Sequence, residues 1–486
     1  MLYRYRMFVF TAALVFACVA TTLHAEVKLA SIFSDSMVLQ QQMPIPVWGW
    51  AEPGEQIRVT FGEQTQQATA DDNGRWKVQL EPLQANAEGQ KLVVAGSNTL
   101  EVKDVLIGEV WICSGQSNME WAVKGATNGA QETAAADHPE IRLFNVPGHT
   151  TSPVAKETCP GVWQVCKPNT VGGFSAVGYF FGRRLQNDLK VPIGLVGTNW
   201  GGTRIEPWIS PAGFHHVPEL KAIADQVDAY TAETKVGGSS PSAIYNAMVH
   251  PLAPFAMRGA IWYQGESNGG EGESYYHKTQ ALVSSWRELF NPNLGFYWVQ
   301  LANFKQPTED PAGGDGWAKL REAQTKALDI DHTGMAVIID IGEAGDIHPR
   351  NKQDVGDRLA QWALHQTYEK QQIVPAGPLF KSQEIEGASI RLSFDYVGGG
   401  LIVGKKEGLQ PTEEVKQGKL ERFAIAGADK QWHWADATID GDSVVVKSAA
   451  VAEPVAVRYA YSMNPEGANL YNKEGLPASP FRTDAW

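Results

Sequence analysis

The chain has 486 residues, with 41 Lys and Arg against 54 Asp and Glu, a formal net charge of −13 and 43% hydrophobic residues. An acidic chain with no basic run is poorly suited to nucleic acid or an anionic membrane surface, which excludes both as expected partners. The hydrophobic content and 16 Trp permit a large core, with some Trp left to stack on the C–H faces of sugar rings and most expected to pack inside.

In chain order, residues 1–25 have the layout of a secretory signal peptide. Arg4 and Arg6 precede an apolar run over 8–19, and small and polar residues lead to Ala25. The run is too short to span a bilayer, so a secreted or periplasmic location is expected. Val15-Phe16-Ala17-Cys18 loosely resembles a lipidation box. Bulky Phe16 ranks that anchor below simple cleavage near Ala25. Cleavage removes Arg4, Arg6 and no acid, taking the charge from −13 to −15 and leaving 461 residues. At about 150 residues per unit this is roughly three units.

Residues 26–103 carry short alternating runs such as Gln56-Ile57-Arg58-Val59-Thr60-Phe61, separated by turns such as Asp71-Asp72-Asn73-Gly74. This pattern predicts a small β-sandwich, read first as a packing module. From Asp104 to about residue 374 the texture changes. Near-continuous apolar runs at 105–113, 193–196, 259–263, 296–301 and 335–340 alternate with helical patterns at 179–189, 275–290 and 351–366. Such alternation predicts an α/β fold, a parallel sheet with helices on both faces. Residues 375–454 return to β texture and predict a second, inserted β-sandwich module. Residues 455–486 are expected to return to the catalytic domain. Cys159 and Cys166 are spaced to close a short disulfide loop in an oxidising compartment. Cys113 lies in an apolar run, and no group has zinc-ligand spacing.

Ligands of open α/β sheets gather where strands end, and four apolar runs here end in polar, Gly-rich segments. Ser114-Gly115-Gln116-Ser117-Asn118-Met119-Glu120 follows a strand and opens a helix. Ser117 there reads equally as an exposed nucleophile or an ordinary helix cap. In Gly197-Thr198-Asn199-Trp200-Gly201-Gly202-Thr203-Arg204, glycines let backbone N–H groups approach a ligand. Tyr263-Gln264-Gly265-Glu266-Ser267-Asn268 offers a side-chain amide. Gly345-Asp346-Ile347-His348-Pro349 holds, of eleven histidines, the one at a strand-end loop beside an acid.

Ser-Gly-Gln-Ser-Asn-Met, Gly-Gly-Thr, Tyr-Gln-Gly-Glu-Ser-Asn and Asp-Ile-His-Pro, in that order, resemble the sialate O-acetylesterase-like branch of the SGNH (GDSL-type) hydrolases. The strings 174–182 and His348-Pro349-Arg350-Asn351-Lys352-Gln353 resemble the same branch. The resemblance covers most of 105–363 and implies a three-layer α/β/α core that hydrolyses O-acetyl esters of carbohydrates without metal or cofactor. It implies that Ser117 attacks the acetyl carbonyl and that His348 is the base. The oxyanion would be held by the N–H of Ser117, the N–H of Gly202 or its neighbour Gly201, and the Gln264 amide. Asp346 stands two residues before the histidine, where the superfamily commonly has its acid three before, a position held here by Gly345. Asp346 is the candidate to orient His348 if the segment is a loop, and a Ser–His dyad is the alternative. Asn118, Arg204 and Glu266 are candidate substrate contacts, with a structural Arg204–Glu266 pair as the competing reading. The expected partner is an acetylated oligo- or polysaccharide, either 9-O-acetyl sialate or a plant glycan such as xylan or xyloglucan. A non-catalytic carbohydrate-binding protein on an esterase-like fold is the alternative from another class.

Overall fold

In a computed structural model that describes residues 26–486, the first buried run forms the inner half of a longer strand, Thr99–Gly115. The segment read as a signal peptide lies outside the described residues. The outer half of this strand pairs antiparallel with Asn86–Ala95, and Val38–Gln40 lies parallel to the start of the inner half, at Leu106, Ile107 and Gly108. The inner half lies parallel between Ile193–Asn199 and Gly259–Tyr263. The change of texture at Asp104 therefore falls within a strand. Asp104 has φ +56°, and Arg142 holds its carboxylate at 2.6 Å.

The fold is mixed α/β. Its largest sheet runs Trp163–Cys166, His138–Asn145, Ile193–Asn199, Thr99–Gly115, Gly259–Tyr263, Gly295–Val299, Thr333–Ala336. Only the first pair is antiparallel; the other neighbours along this path are parallel. Side chains of successive residues leave a strand on opposite faces. Trp111 meets Phe181 of the helix Ala176–Leu189, ring centroids 5.0 Å apart. Trp262 is aligned with Ser114, on the other face, and meets Trp286 of the helix Glu273–Leu289 at 6.1 Å. Both faces are thus dry, which is why the strand sequences are continuously apolar rather than alternating. In contrast, Arg75–Leu80 alternates exposed and buried residues, as a strand with one wet face must.

Local sequence sets the helix ends. Ser175 caps Ala176–Leu189 by accepting from the Gly178 N–H, and the chain leaves that helix through Lys190 at φ +58°. Asn351 caps Lys352–Trp362 through the Asp354 N–H at 3.1 Å.

Further β-sheets follow in the C-terminal part, one formed by Leu379–Glu386, Ser389–Asp395, Ser443–Lys447 and Asp436–Asp440 and another by Trp432–Trp434, Phe423–Gly427, Pro454–Tyr459 and Phe481–Arg482. Fully buried Arg321 joins this part to the α/β part, donating to the carbonyls of Leu301, Ala302, Ser462 and Met463. Its guanidinium is thereby hydrogen-bonded on every nitrogen, the condition for burying a charge.

One expectation is corrected here: Cys159 and Cys166 are separate buried thiols, not a disulfide. Cys166 is committed to the edge strand Trp163–Cys166, paired with His138 beyond a register shift. Cys159 lies in the preceding loop, where its carbonyl accepts from Ser31 of the N-terminal part. Burial pushes their thiols up to about 11 and about 12. Among the described residues no helix is long and apolar enough to cross a membrane, and no group of His, Cys, Asp and Glu could hold a metal ion.

Candidate active site

The strand Thr99–Gly115 ends in a turn that only glycine fits. Gly115 has φ +139°, and a Cβ there would lie 2.1 Å from the Tyr263 carbonyl oxygen. The Gln116 N–H donates to that same carbonyl at 2.9 Å. Ser117 then opens the short helix Ser117–Glu120. As its first residue, Ser117 has an N–H with no intrahelical acceptor. Gln116 Oε1 faces the N–H groups of Gly265 and Ser267 at 3.4 and 3.3 Å, tying this turn to the loop after Gly259–Tyr263.

The segment 343–350 is a loop, folded back by the Asp346 N–H donating to the Glu343 carbonyl at 3.2 Å. It brings His348 Nε2 within 2.9 Å of Ser117 Oγ across 231 positions of sequence. Asp346 Oδ1 accepts the His348 backbone N–H at 2.9 Å and lies 3.3 Å from His348 Nδ1. The backbone N–H of His348, with the imidazole and Arg350 nearby, holds the Asp346 carboxyl below its ordinary range. A carboxylate two residues away reaches the ring here because the backbone is a loop; in a strand it would lie on the same face without contact.

Gly201 approaches Ser117 from the loop after Ile193–Asn199, and Gly202 follows it in that loop. A Cβ on Gly201 would lie 3.3 Å from the Ser117 Cβ. The Gly201 N–H is not free, since it donates to Glu120 Oε2 at 2.6 Å. The Gly202 N–H has no acceptor among the described residues, and its φ of +75° turns the chain there. Of the two neighbours, Gly202 is therefore the one able to donate to an oxyanion.

Gln264 does not join them. It has no exposed surface, and its NH2 donates to the Thr203 carbonyl at 3.2 Å and to Asn268 Oδ1 at 2.8 Å, while Oε1 accepts from Tyr275 at 2.8 Å. Both amide hydrogens are spent, so none is left for an oxyanion. The amide instead holds the Gly-Gly-Thr loop from below.

Two further expectations are corrected. Asn118 is only 1% exposed and faces inward, to Glu266, Lys352 and the Ile347 carbonyl. It is too deep to touch substrate. Arg204 does not pair with Glu266. It pairs with Glu206 at 3.0 Å and with Glu271, and its NH1 donates to the Ser267 carbonyl at 3.3 Å. Lys278 closes this cluster, 2.7 Å from Glu206 and 2.6 Å from Glu271.

Some residues at the site carry no role in the sequence reading. Trp121 stacks on the His348 imidazole, centroids 5.2 Å apart. Glu120 Oε1 meets His149 Nε2 at 2.7 Å, and the His149 ring lies flat on Trp200 at 4.9 Å. Glu120 and Trp121 immediately follow the Ser-Asn-Met string, and that adjacency was the available signal. His149 lies in a loop with no motif around it.

A ring nitrogen 2.9 Å from a serine hydroxyl is suited to general-base chemistry at that hydroxyl. A family model described as a carbohydrate esterase, sialic acid-specific acetylesterase, matches residues 107–365. The sialate O-acetylesterase of Homo sapiens is 29% identical over 497 residues, spanning 93% of this chain and 92% of that protein. That of Mus musculus is 28% identical over 524 residues, spanning 93% and 94%. Among solved structures, a carbohydrate acetylesterase from Xanthomonas citri is 41% identical, with a TM-score of 0.83 and coverage of 95% of this chain and 100% of that one.

Proposed function

Because the chain belongs to the family of sialic acid-specific acetylesterases among the carbohydrate esterases, we propose that it releases acetate from carbohydrates through an acetyl-Ser117 intermediate. It is a carboxylic ester hydrolase, and the alternative of a non-catalytic carbohydrate-binding protein is set aside. The observation that carries the proposed mechanism is the 2.9 Å contact between His348 Nε2 and Ser117 Oγ, with Asp346 3.3 Å from Nδ1.

In the proposed reaction His348 takes the Ser117 proton as Oγ bonds to the acetyl carbon. The carbonyl electrons move onto oxygen, where the N–H groups of Ser117 and Gly202 receive them. Collapse breaks the bond to the sugar oxygen, and His348 returns the proton to that oxygen. Water then attacks acetyl-Ser117 by the same route, releasing acetate. Asp346 orients the imidazole and stabilises its cation. The supporting fold is read as a three-layer α/β/α core, with β-sandwich modules before it and inserted late. The N-terminal segment is read as an export signal, giving a secreted or periplasmic enzyme.

For substrate, a neutral acetylated glycan such as xylan or xyloglucan is favoured. The guanidinium on the Gly-Gly-Thr loop, Arg204, is neutralised by Glu206 and Glu271, and Glu120 adds a carboxylate beside Ser117. Neither feature suits a sialate carboxylate. A 9-O-acetyl sialate is the second reading, favoured by Arg350, exposed two residues beyond His348, and by the names of the mammalian relatives. Acetate release from 4-nitrophenyl acetate, acetylated xyloglucan, acetylated xylan and 9-O-acetyl sialate, measured in parallel for the wild type and Ser117→Ala, tests both levels. Activity retained in Ser117→Ala would end the mechanism, and release from sialate alone would reverse the choice of sugar.

A further inference from the structure

Beneath Ser117 and His348 runs a buried polar chain that the reaction as described does not use. Lys352, the first residue of its helix, has no exposed surface. Its ammonium donates to Asn118 Oδ1 and lies 5.0 Å from the centre of the Tyr263 ring. The Asn118 NH2 donates at 2.5 Å to Glu266 Oε1 and at 3.0 Å to the carbonyl of Ile347. Asn118 follows the serine in sequence, and Ile347 precedes the histidine. One side-chain amide therefore ties the short helix that carries Ser117 to the backbone of the loop that carries His348.

Amide chemistry makes Lys352 the partner that decides how this joint is set. An asparagine has one oxygen that accepts and one nitrogen that donates twice, and an ammonium only donates. With Lys352 facing Oδ1, the NH2 must point at Glu266 and Ile347. Turned over, the amide would set its oxygen against two acceptors and its hydrogens against the ammonium. An apolar residue in place of Lys352 would fill the space without imposing that choice. Burying an ammonium is costly; burial pushes this one down to about 7, against the pull of Glu266, Asp346 and Glu343. A lysine kept at such a cost is hard to explain by packing alone. Glu266 Oε2 and the Tyr263 hydroxyl beside it are sealed and without partners among the described residues, so the chain ends there rather than leading to solvent.

We propose that Lys352 and Asn118 are positioning residues for ester hydrolysis: Lys352 orients the Asn118 amide, and that amide holds the His348 loop at hydrogen-bonding distance from Ser117. The proposal rests on the reading of Ser117 and His348 as nucleophile and base. Displacement of a reacting group by about 1 Å costs roughly 10²-fold in rate, which sets the scale.

The experiment is steady-state hydrolysis of 4-nitrophenyl acetate by the full chain and by Lys352→Met, Lys352→Gln and Ser117→Ala, each with its melting temperature. Lys352→Met should melt no lower than the wild type, with kcat down about 10- to 100-fold and KM within about twofold. Lys352→Gln restores a donor toward Asn118 and should recover several-fold of that loss. Wild-type kcat in Lys352→Met, or a lower melting temperature with kcat unchanged, would overturn the positioning role while an inactive Ser117→Ala left the catalytic reading standing. Activity in Ser117→Ala would overturn the reading underneath. If Lys352→Met does not fold, the Gln variant decides: kcat between wild type and a 100-fold loss with KM unchanged supports the role, and wild-type kcat overturns it.

Discussion

The indole of Trp121 lies against the imidazole of His348, ring centroids 5.2 Å apart and planes 20° from parallel. In the proposed mechanism that imidazole becomes a cation when it takes the serine proton, and an aromatic face attracts a cation by about 0.5–2 kcal/mol. Trp121 thus adds, from a face of the ring, to what Asp346 does near Nδ1. Trp121→Ala should lower kcat by about tenfold with little change in KM for 4-nitrophenyl acetate, and Trp121→Phe should keep most of the rate. Equal losses in both variants would mean that the indole serves by shape and not by its face.

Asp346 Oδ1 accepts the His348 backbone N–H at 2.9 Å and lies 3.3 Å from Nδ1 of the ring. Asp346→Asn keeps an oxygen for the backbone N–H but loses the charge, and its amide can favour the wrong tautomer. The expected loss in kcat is about 10²- to 10⁴-fold, the upper end being the loss seen when an orienting Asp becomes Asn in a Ser-His-Asp triad. Asp346→Ala, which also frees the loop, should be at least as slow. A loss under about threefold in Asp346→Asn would leave a Ser–His dyad as the working unit.

The Gln264 amide offers a sharper contrast. Loss of an oxyanion-hole donor costs about 10²- to 10³-fold in kcat. Loss of a buried structural amide costs about 1–3 kcal/mol in stability. With its hydrogens on Thr203 and Asn268, Gln264→Met should lower the melting temperature and reduce kcat by less than about tenfold. A 10²-fold loss at unchanged stability would return Gln264 to the oxyanion.

How far the sequence led can be judged at these same residues. The strand-end loops were legible because a buried parallel sheet imposes apolar runs and polar chemistry is left to the turns between them, so 105–113 and 259–263 pointed to their own termini. The Asp346–His348 contact was legible as a conditional: it needed a loop, and residues 343–350 form one. Gln264 was assigned from its place at a strand end, but its direction depends on register against Thr99–Gly115 and on Tyr275, eleven residues away on a helix. Lys352 reads as a surface residue from type alone. Its burial comes from Asn118 and Tyr263, brought to it from the ends of two distant strands, which no local pattern states. Arg204 likewise needed Glu271 and Lys278, partners that only the folded chain supplies.

That cluster gives a pH prediction whose sign is fixed. Burial alone would raise the Glu206 carboxyl, but hydrogen bonds from Arg204 and Lys278 outweigh it and hold the group down at about 2, against an ordinary 4.5. A carboxyl lowered in the folded state stabilises it above the unfolded value, and the contribution is lost as pH falls through the folded value. The window is therefore about pH 4.5 down to about 2, and the size at neutral pH is about 3 kcal/mol from the shift. Glu206→Gln should be less stable than wild type to urea by about that amount at pH 7, the gap narrowing below pH 4.5 and closing near pH 2. Because Arg204 is the guanidinium on the Gly-Gly-Thr loop, freeing it from Glu206 should also raise the relative rate on a sialate ester over a neutral one. A stability gap that stays constant from pH 7 to pH 2.5 would assign Glu206 a packing role and remove the charge argument from Arg204 as well.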